Sequence, residues 1–167
     1  MISEAAAALP PGRDRLCYAP LQNPAFGAKF AMESITADPS QARGVLLEKA
    51  ADRVVMAVRG TEYKLHLVID APVATDVNKR IAGRVIAEVN RVDQAVGGGR
   101  FVEPVMGRPR RLQGEVIATD VDANTLTIGS IVPFVCKLMV DQQAGDFQLG
   151  MLVGCDVRRG ARFEPAG

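Results

Sequence analysis

The feature that most constrains this chain is its similarity to itself at an offset of seventy residues. Gly44-Val-Leu-Leu falls on Gly114-Glu-Val-Ile, Asp52 on Asp122, and Met56-Ala-Val58 on Leu126-Thr-Ile128. With a one-residue gap, Tyr63-Lys-Leu-His-Leu-Val-Ile-Asp70 falls on Phe134-Val-Cys-Lys-Leu-Met-Val-Asp141, and Arg100-Phe-Val-Glu-Pro104 is echoed by Arg162-Phe-Glu-Pro165. Identities are few. The recurrence lies in the order of turn acids, inward apolar positions and a closing Phe-Glu-Pro. Self-similarity at a fixed period marks a duplicated supersecondary unit, one that buries its apolar face against a neighbouring copy.

Each copy reads as short β segments separated by turn residues. In the first, Val54–Val58 is apolar and partly β-branched, Arg59-Gly60 marks a turn, and Tyr63–Ile69 alternates. That alternation places Tyr63, Leu65, Leu67 and Ile69 on one face and Lys64 and His66 on the other. Residues 75–80 read as one helical turn. Arg84–Val92 reads as a strand, although a helix fits its pattern nearly as well, Gly97–Gly99 as a turn and Arg100–Val105 as a strand. In the second copy, strands are predicted over Leu112–Thr119, Thr125–Ile128, Phe134–Val140 and Leu149–Val157, with Asp120–Asn124 as a turn. Phe134, Cys136, Leu138 and Val140 are expected on one inward face. The glycines in Leu149–Val157 permit a bulge or a sharp coil.

A meander of three strands, a loop or helical turn, then two more strands resembles the OB-fold, a five-stranded small barrel. The resemblance covers residues 44–105 and 112–165 and is to a fold, with no family signature. It implies a mainly β protein of two tandem OB-like small barrels, with one pseudo-twofold interlaced barrel as the alternative. The expected boundaries are an N-terminal arm over 1–43, a first repeat over 44–106, a basic linker over 107–111 and a second repeat over 112–167. The arm holds Pro10, Pro11, Pro20, Pro24 and Pro39, with a short helical turn expected over 3–9, mobility over 1–12 and an ordered arm over 13–43. Units this small bury a low fraction of their surface, so the repeats are expected to pack on each other or to self-associate.

Composition narrows function by exclusion. With 167 residues, 48% apolar and 23% charged, the chain has material for a core. Its formal net charge of +1 argues against a generally polycationic binder but leaves room for a local basic patch. No apolar run is long enough for a membrane-spanning helix, so no membrane partner is expected. The acid at Glu4 and the early Pro10-Pro11 do not suit a secretory signal, and a cytoplasmic location is the expectation. Cys17, Cys136 and Cys155 with a single histidine, His66, do not make a disulfide framework or a common zinc site. No metal or cofactor is expected.

Catalytic signatures are missing. GxSxG, HExxH and SxxK do not occur. His66 reads as an exposed strand residue, and a nucleophilic pairing of it with a cysteine lacks the surrounding residues of any such family. Asp120-Val-Asp-Ala-Asn124 superficially resembles the start of a calcium loop, but Leu126 and Ile131 stand where glycine and glutamate are needed. Gly97-Gly-Gly-Arg100 runs into Phe-Val-Glu-Pro rather than a helix, so it is no phosphate loop. Two basic groups remain, Arg108, Arg110 and Arg111 in the linker and Arg158, Arg159 and Arg162 near the end, with Lys137 as a further cation. Arginine's planar fork suits phosphate. Arg108, Arg110, Arg111, Lys137, Arg158 and Arg159 are therefore the candidate nucleic-acid or anion ligands. The reading is a non-catalytic binding or assembly module. A single-stranded nucleic-acid binder is the alternative, and an enzyme or small-ligand protein with a dispersed site is a third.

Overall fold

The computed structural model describes residues 38–166. The arm expected over 1–43, with Cys17, lies outside these residues except for its last six positions, and the first strand already begins at Gln41. The described residues are mainly β. The strands are β1 (Gln41–Lys49), β2 (Arg53–Ala57), β3 (Lys64–Val68), β4 (Arg80–Gln94), β5 (Phe101–Glu103), β6 (Met106–Gly107), β7 (Arg111–Asp120), β8 (Thr125–Gly129), β9 (Pro133–Lys137) and β10 (Leu152–Pro165). A single 3-10 turn occupies Ala144–Asp146.

All ten strands belong to one sheet. β1, β2 and β3 form an antiparallel meander, β10 runs parallel beside β3, β4 pairs antiparallel with β10, and β4 returns to β1. These ladders make a closed ring of hydrogen bonds. The same order recurs from β7, through β8 and β9 to β4 (parallel), then β10, which pairs back to β7. The long strands β4 and β10 take part in both circuits. Closure leaves few open strand edges, which are otherwise sites of unwanted pairing.

Alternation along the strands explains the placement of the core. Leu46, Met56, Leu65 and Leu67 fill the first circuit, and Leu112, Leu126, Ile128 and Phe134 the second. Val85, Val89, Val153 and Phe163, from the shared strands, join these into one continuous cluster. Full burial of such a side chain contributes about 1.5–3 kcal/mol. Among the described residues the ion pairs are all on the surface, where a pair contributes about 0–1 kcal/mol, so apolar packing dominates.

Several expectations require correction. Residues 75–80 form no helix. Asn78 has φ 66°, and its N–H donates to the carbonyl of Leu46, pinning the segment as a turn against β1. The strand expected over 134–140 ends at Lys137, because Leu138 turns its N–H to the carbonyl of Asn124, and Val140 is exposed rather than inward. Arg100–Val105 is broken at the cis Glu103–Pro104 peptide, with β5 before it and β6 after. The strand expected over Leu149–Val157 starts only at Leu152, because Met151 turns its N–H to the carbonyl of Gln148, and Leu152–Val157 and Arg162–Pro165 belong to one strand. β10 passes a loop-out between Arg158 and Ala161 without leaving its partner β4.

Strand β4 approaches the end of β10 closely at Gly83. A Cβ there would meet the carbonyl oxygen of Glu164 and lie 2.6 Å from Phe163 Cζ. Neither atom is free to yield, since one is backbone and the other a buried ring. Gly83→Ala is therefore expected to lose on the order of 1–3 kcal/mol in denaturant unfolding. Gly97→Ala, whose Cβ would meet nothing within 4 Å, serves as the neutral comparison. Equal stability of the two variants would contradict this packing.

Candidate anion-binding site

Two glycine-supported local structures bring the distant arginines together. Between Arg158 and Ala161, β10 carries two residues that have no counterpart on β4. Arg159 (φ 53°) and Gly160 (φ 85°) both take the left-handed conformation. An insertion of two residues preserves the alternation, so Val157 and Ala161 both stay buried while Arg159 is lifted into solvent. Gly160 adopts its conformation without steric penalty, but Arg159 does not, at a cost of about 1–2 kcal/mol. The packing around it holds an arginine where glycine or asparagine would be less strained.

The linker is fixed against this loop-out. Arg110 donates its N–H to the carbonyl of Glu103 at 2.7 Å and accepts from the N–H of Val157 at 2.7 Å. Pro109 is buried between the two exposed arginines Arg108 and Arg110. A Cβ on Gly160 would lie 3.8 Å from Arg108 Cβ and Cδ, so the arginine stem lies over the bare glycine. Arg108, Arg110 and Arg159 thus line one recess of about 580 Å³, walled by Pro104, Met106 and Val157, with no acidic residue in its lining.

A second recess of about 300 Å³ shares Arg159 and Gly160 with the first and continues past Lys137, Arg158 and Arg162. Here the charge is mixed. Glu88 stands opposite Arg158 across β4–β10 and opposite Lys137 across β4–β9. Arg162 is paired with Asp70 at 2.9 Å and with Glu164 at 3.5 Å. Arg158 is half-buried, with Nη1 3.2 Å from Met139 Sδ. Five of the six candidate cations therefore fall along one strip whose least compensated part is the first recess. The sixth, Arg111, does not join it. It faces Asp156 across β7–β10 and lines a different recess with Asp93.

The contrast with other arginines is informative. Arg84, Arg91, Arg100 and Arg162 make ion pairs, whereas Arg108, Arg110 and Arg159 make none among the described residues. Sequence spacing located the arginines but missed the walls. Pro104 and Met106 follow directly on the Phe-Val-Glu motif, and that adjacency was the available signal. His66 is half-buried on β3, outside both recess linings. Cys136 and Cys155 are buried free thiols, and hydrogen bonding to Cys155 together with burial pushes the Cys136 thiol well up, opposite to what a nucleophile needs. No group of three or more His, Cys, Asp or Glu among the described residues is placed to hold a metal ion. No helix among them is long and apolar enough to cross a membrane.

The paired arginines give one clear pH signature. Asp38 accepts from the Ser40 hydroxyl and N–H and, at 2.9 Å, from Arg84 Nη2, and these contacts hold its carboxyl down at about 2. A lowered folded-state value stabilises above the unfolded value of 3.8 and is lost as the pH falls through the folded one. Asp38→Asn should therefore remove a small part of the stability change between pH 3.8 and about 2, read from unfolding midpoints. Identical pH curves for the two proteins would refute the contact. Comparison of the chain with protein-family models, with curated proteins and with solved structures returns no match.

Proposed function

We propose that this protein is a non-catalytic binding module that holds a phosphodiester backbone, that of single-stranded nucleic acid, along the strip centred on Arg159. The observation that carries this reading is the acid-free recess of Arg108, Arg110 and Arg159, continuous with the cations of the second recess. Guanidinium forks make paired hydrogen bonds to phosphate oxygens, and an arginine held at a strained backbone position is explained by what its side chain contacts. Among the described residues no aromatic side chain lines either recess, which favours recognition through phosphates over base stacking.

The strand order supports a matching origin. In each circuit a three-strand meander is closed by two further strands, which resembles the OB-like arrangement. Gly44 and Gly114 lie seventy residues apart, and so do the bulges in β1 and β7. On this reading the chain is two copies of one unit, interlaced through β4 and β10, each of which starts in its own ring and ends in the other. The phosphate strip lies where the two copies cross.

A labelled mixed-sequence single strand, titrated by fluorescence anisotropy at low and raised salt, tests the reading. Binding should weaken steeply with salt. Replacing Arg108, Arg110 and Arg159 with serine should flatten the log–log salt slope by about two, at roughly 0.7 per lost phosphate contact. Arg111→Ser should leave the slope nearly unchanged. Failure to bind at low salt, or a triple variant with an unaltered slope, would overturn the proposal.

A further inference from the structure

A further recess of the described residues lies away from the phosphate strip and is built by elements that no sequence motif connects. Its volume is about 610 Å³, within the range of small-molecule sites. Three arginines line it: Arg43 from β1, Arg80 from the start of β4, and Arg59 from the turn after β2. Register explains why two of them meet. Arg43 pairs with Ala82 across β1–β4, and Arg80 lies two residues before Ala82, so both side chains leave the same face of the sheet. Such diagonal like charges repel, and the lining contains no acidic residue to offset them. None of the three makes an ion pair among the described residues.

Arg43 is also held in place. Gln41 Oε1 accepts from both Arg43 Nε at 3.0 Å and Nη2 at 2.9 Å. The rest of the lining is apolar, with Val58, Ile81 and Val132 buried in it and Ile131 half-buried. The linker between β8 and β9 thus supplies an apolar wall facing the arginines. A cationic rim over an apolar floor has a definite chemical complement.

From this geometry we infer a second, independent site that takes a small amphiphilic anion: a phosphate, sulfonate or carboxylate head against the arginines and a hydrocarbon or aromatic body against Val58, Ile81 and Val132. Inorganic phosphate would meet only the arginines and leave Val58, Ile81 and Val132 uncontacted, and the lining shares no residue with the strip around Arg159.

The probe is 8-anilinonaphthalene-1-sulfonate, titrated into the full chain and read by fluorescence. One saturable equivalent is expected, displaced by octyl phosphate below its micelle-forming concentration. Octanol and inorganic phosphate should each displace it much less, since each meets only one part of the site. The double variant Arg59→Ser, Arg80→Ser should weaken the probe at least about tenfold through loss of two charge-assisted contacts. The variant lacking Arg108, Arg110 and Arg159 should bind it as the parent does, which keeps this result distinct from that of the phosphate strip. Non-saturable fluorescence, displacement by inorganic phosphate as effective as by octyl phosphate, or an unchanged affinity in the Arg59, Arg80 variant would each overturn the inference. The competition experiment needs no variant, so it decides the question even where the substitutions disturb folding.

Discussion

The antiparallel ladder between β4 and β10 is the contact on which the rest of the structure depends. It runs from the Val153–Gln94 pair to the Pro165–Gly83 pair, and both closed circuits pass through it. Without it both circuits would stand open between β4 and β10, even with β4 still paired to β1 and β9 and β10 to β7. With it, Val85 and Phe163 complete the interior of one circuit, and Val89, Val92 and Val153 that of the other. The close approach at Gly83 and the two irregularities along the ladder are local adjustments that let two long twisted strands stay paired while serving different neighbours.

The same ladder organises the charges. Where it is regular, opposite charges face one another, as Glu88 does Arg158 and Arg84 does Glu164. Where it loops out, at Arg159 and Gly160, a cation is released from cross-strand pairing and meets the arginines of the 107–111 segment. A nearly neutral chain can thereby present a locally uncompensated patch, because the neutralising acids are fixed to other positions by strand register. Net charge is a poor guide to such a surface, whereas register is a good one.

Much of this was legible in the residues. Alternation located most strands and the inward Leu65, Leu67, Phe134 and Cys136, since period-two burial is a local property. The arginines of 108–111 and 158–159 also stood out by clustering. The particular partners of the long strands β4 and β10 did not, because periodicity says which face is buried but not which strand covers it. Arg159 and Gly160 looked like the gap between two strands, since a left-handed pair inside a strand has the same composition as a turn. Arg111 was grouped with its neighbours by sequence alone, while alternation sends it to the opposite side toward Asp156. Arg43, Arg59 and Arg80 carry no joint signal at all, since only strand pairing brings them together, β1–β4 for Arg43 and Arg80 and β1–β2 for the turn that holds Arg59.

The parallel pairing of β10 with β3 has a consequence for how the protein is made. The outer edge of β3 is covered at Lys64 and Leu65 by β6, but at Val68 its partner is Arg162, so that end of the edge stays open until nearly the whole chain has been synthesised. The second circuit runs through β4 and β10 as the first does, and β10 is the last strand of the chain. Both rings therefore become complete in a single late event, dominated by contacts between residues far apart in sequence, a topology that folds slowly and leaves strand edges exposed in the interval. A stalled or shortened product lacking β10 would lose the closure of both halves together.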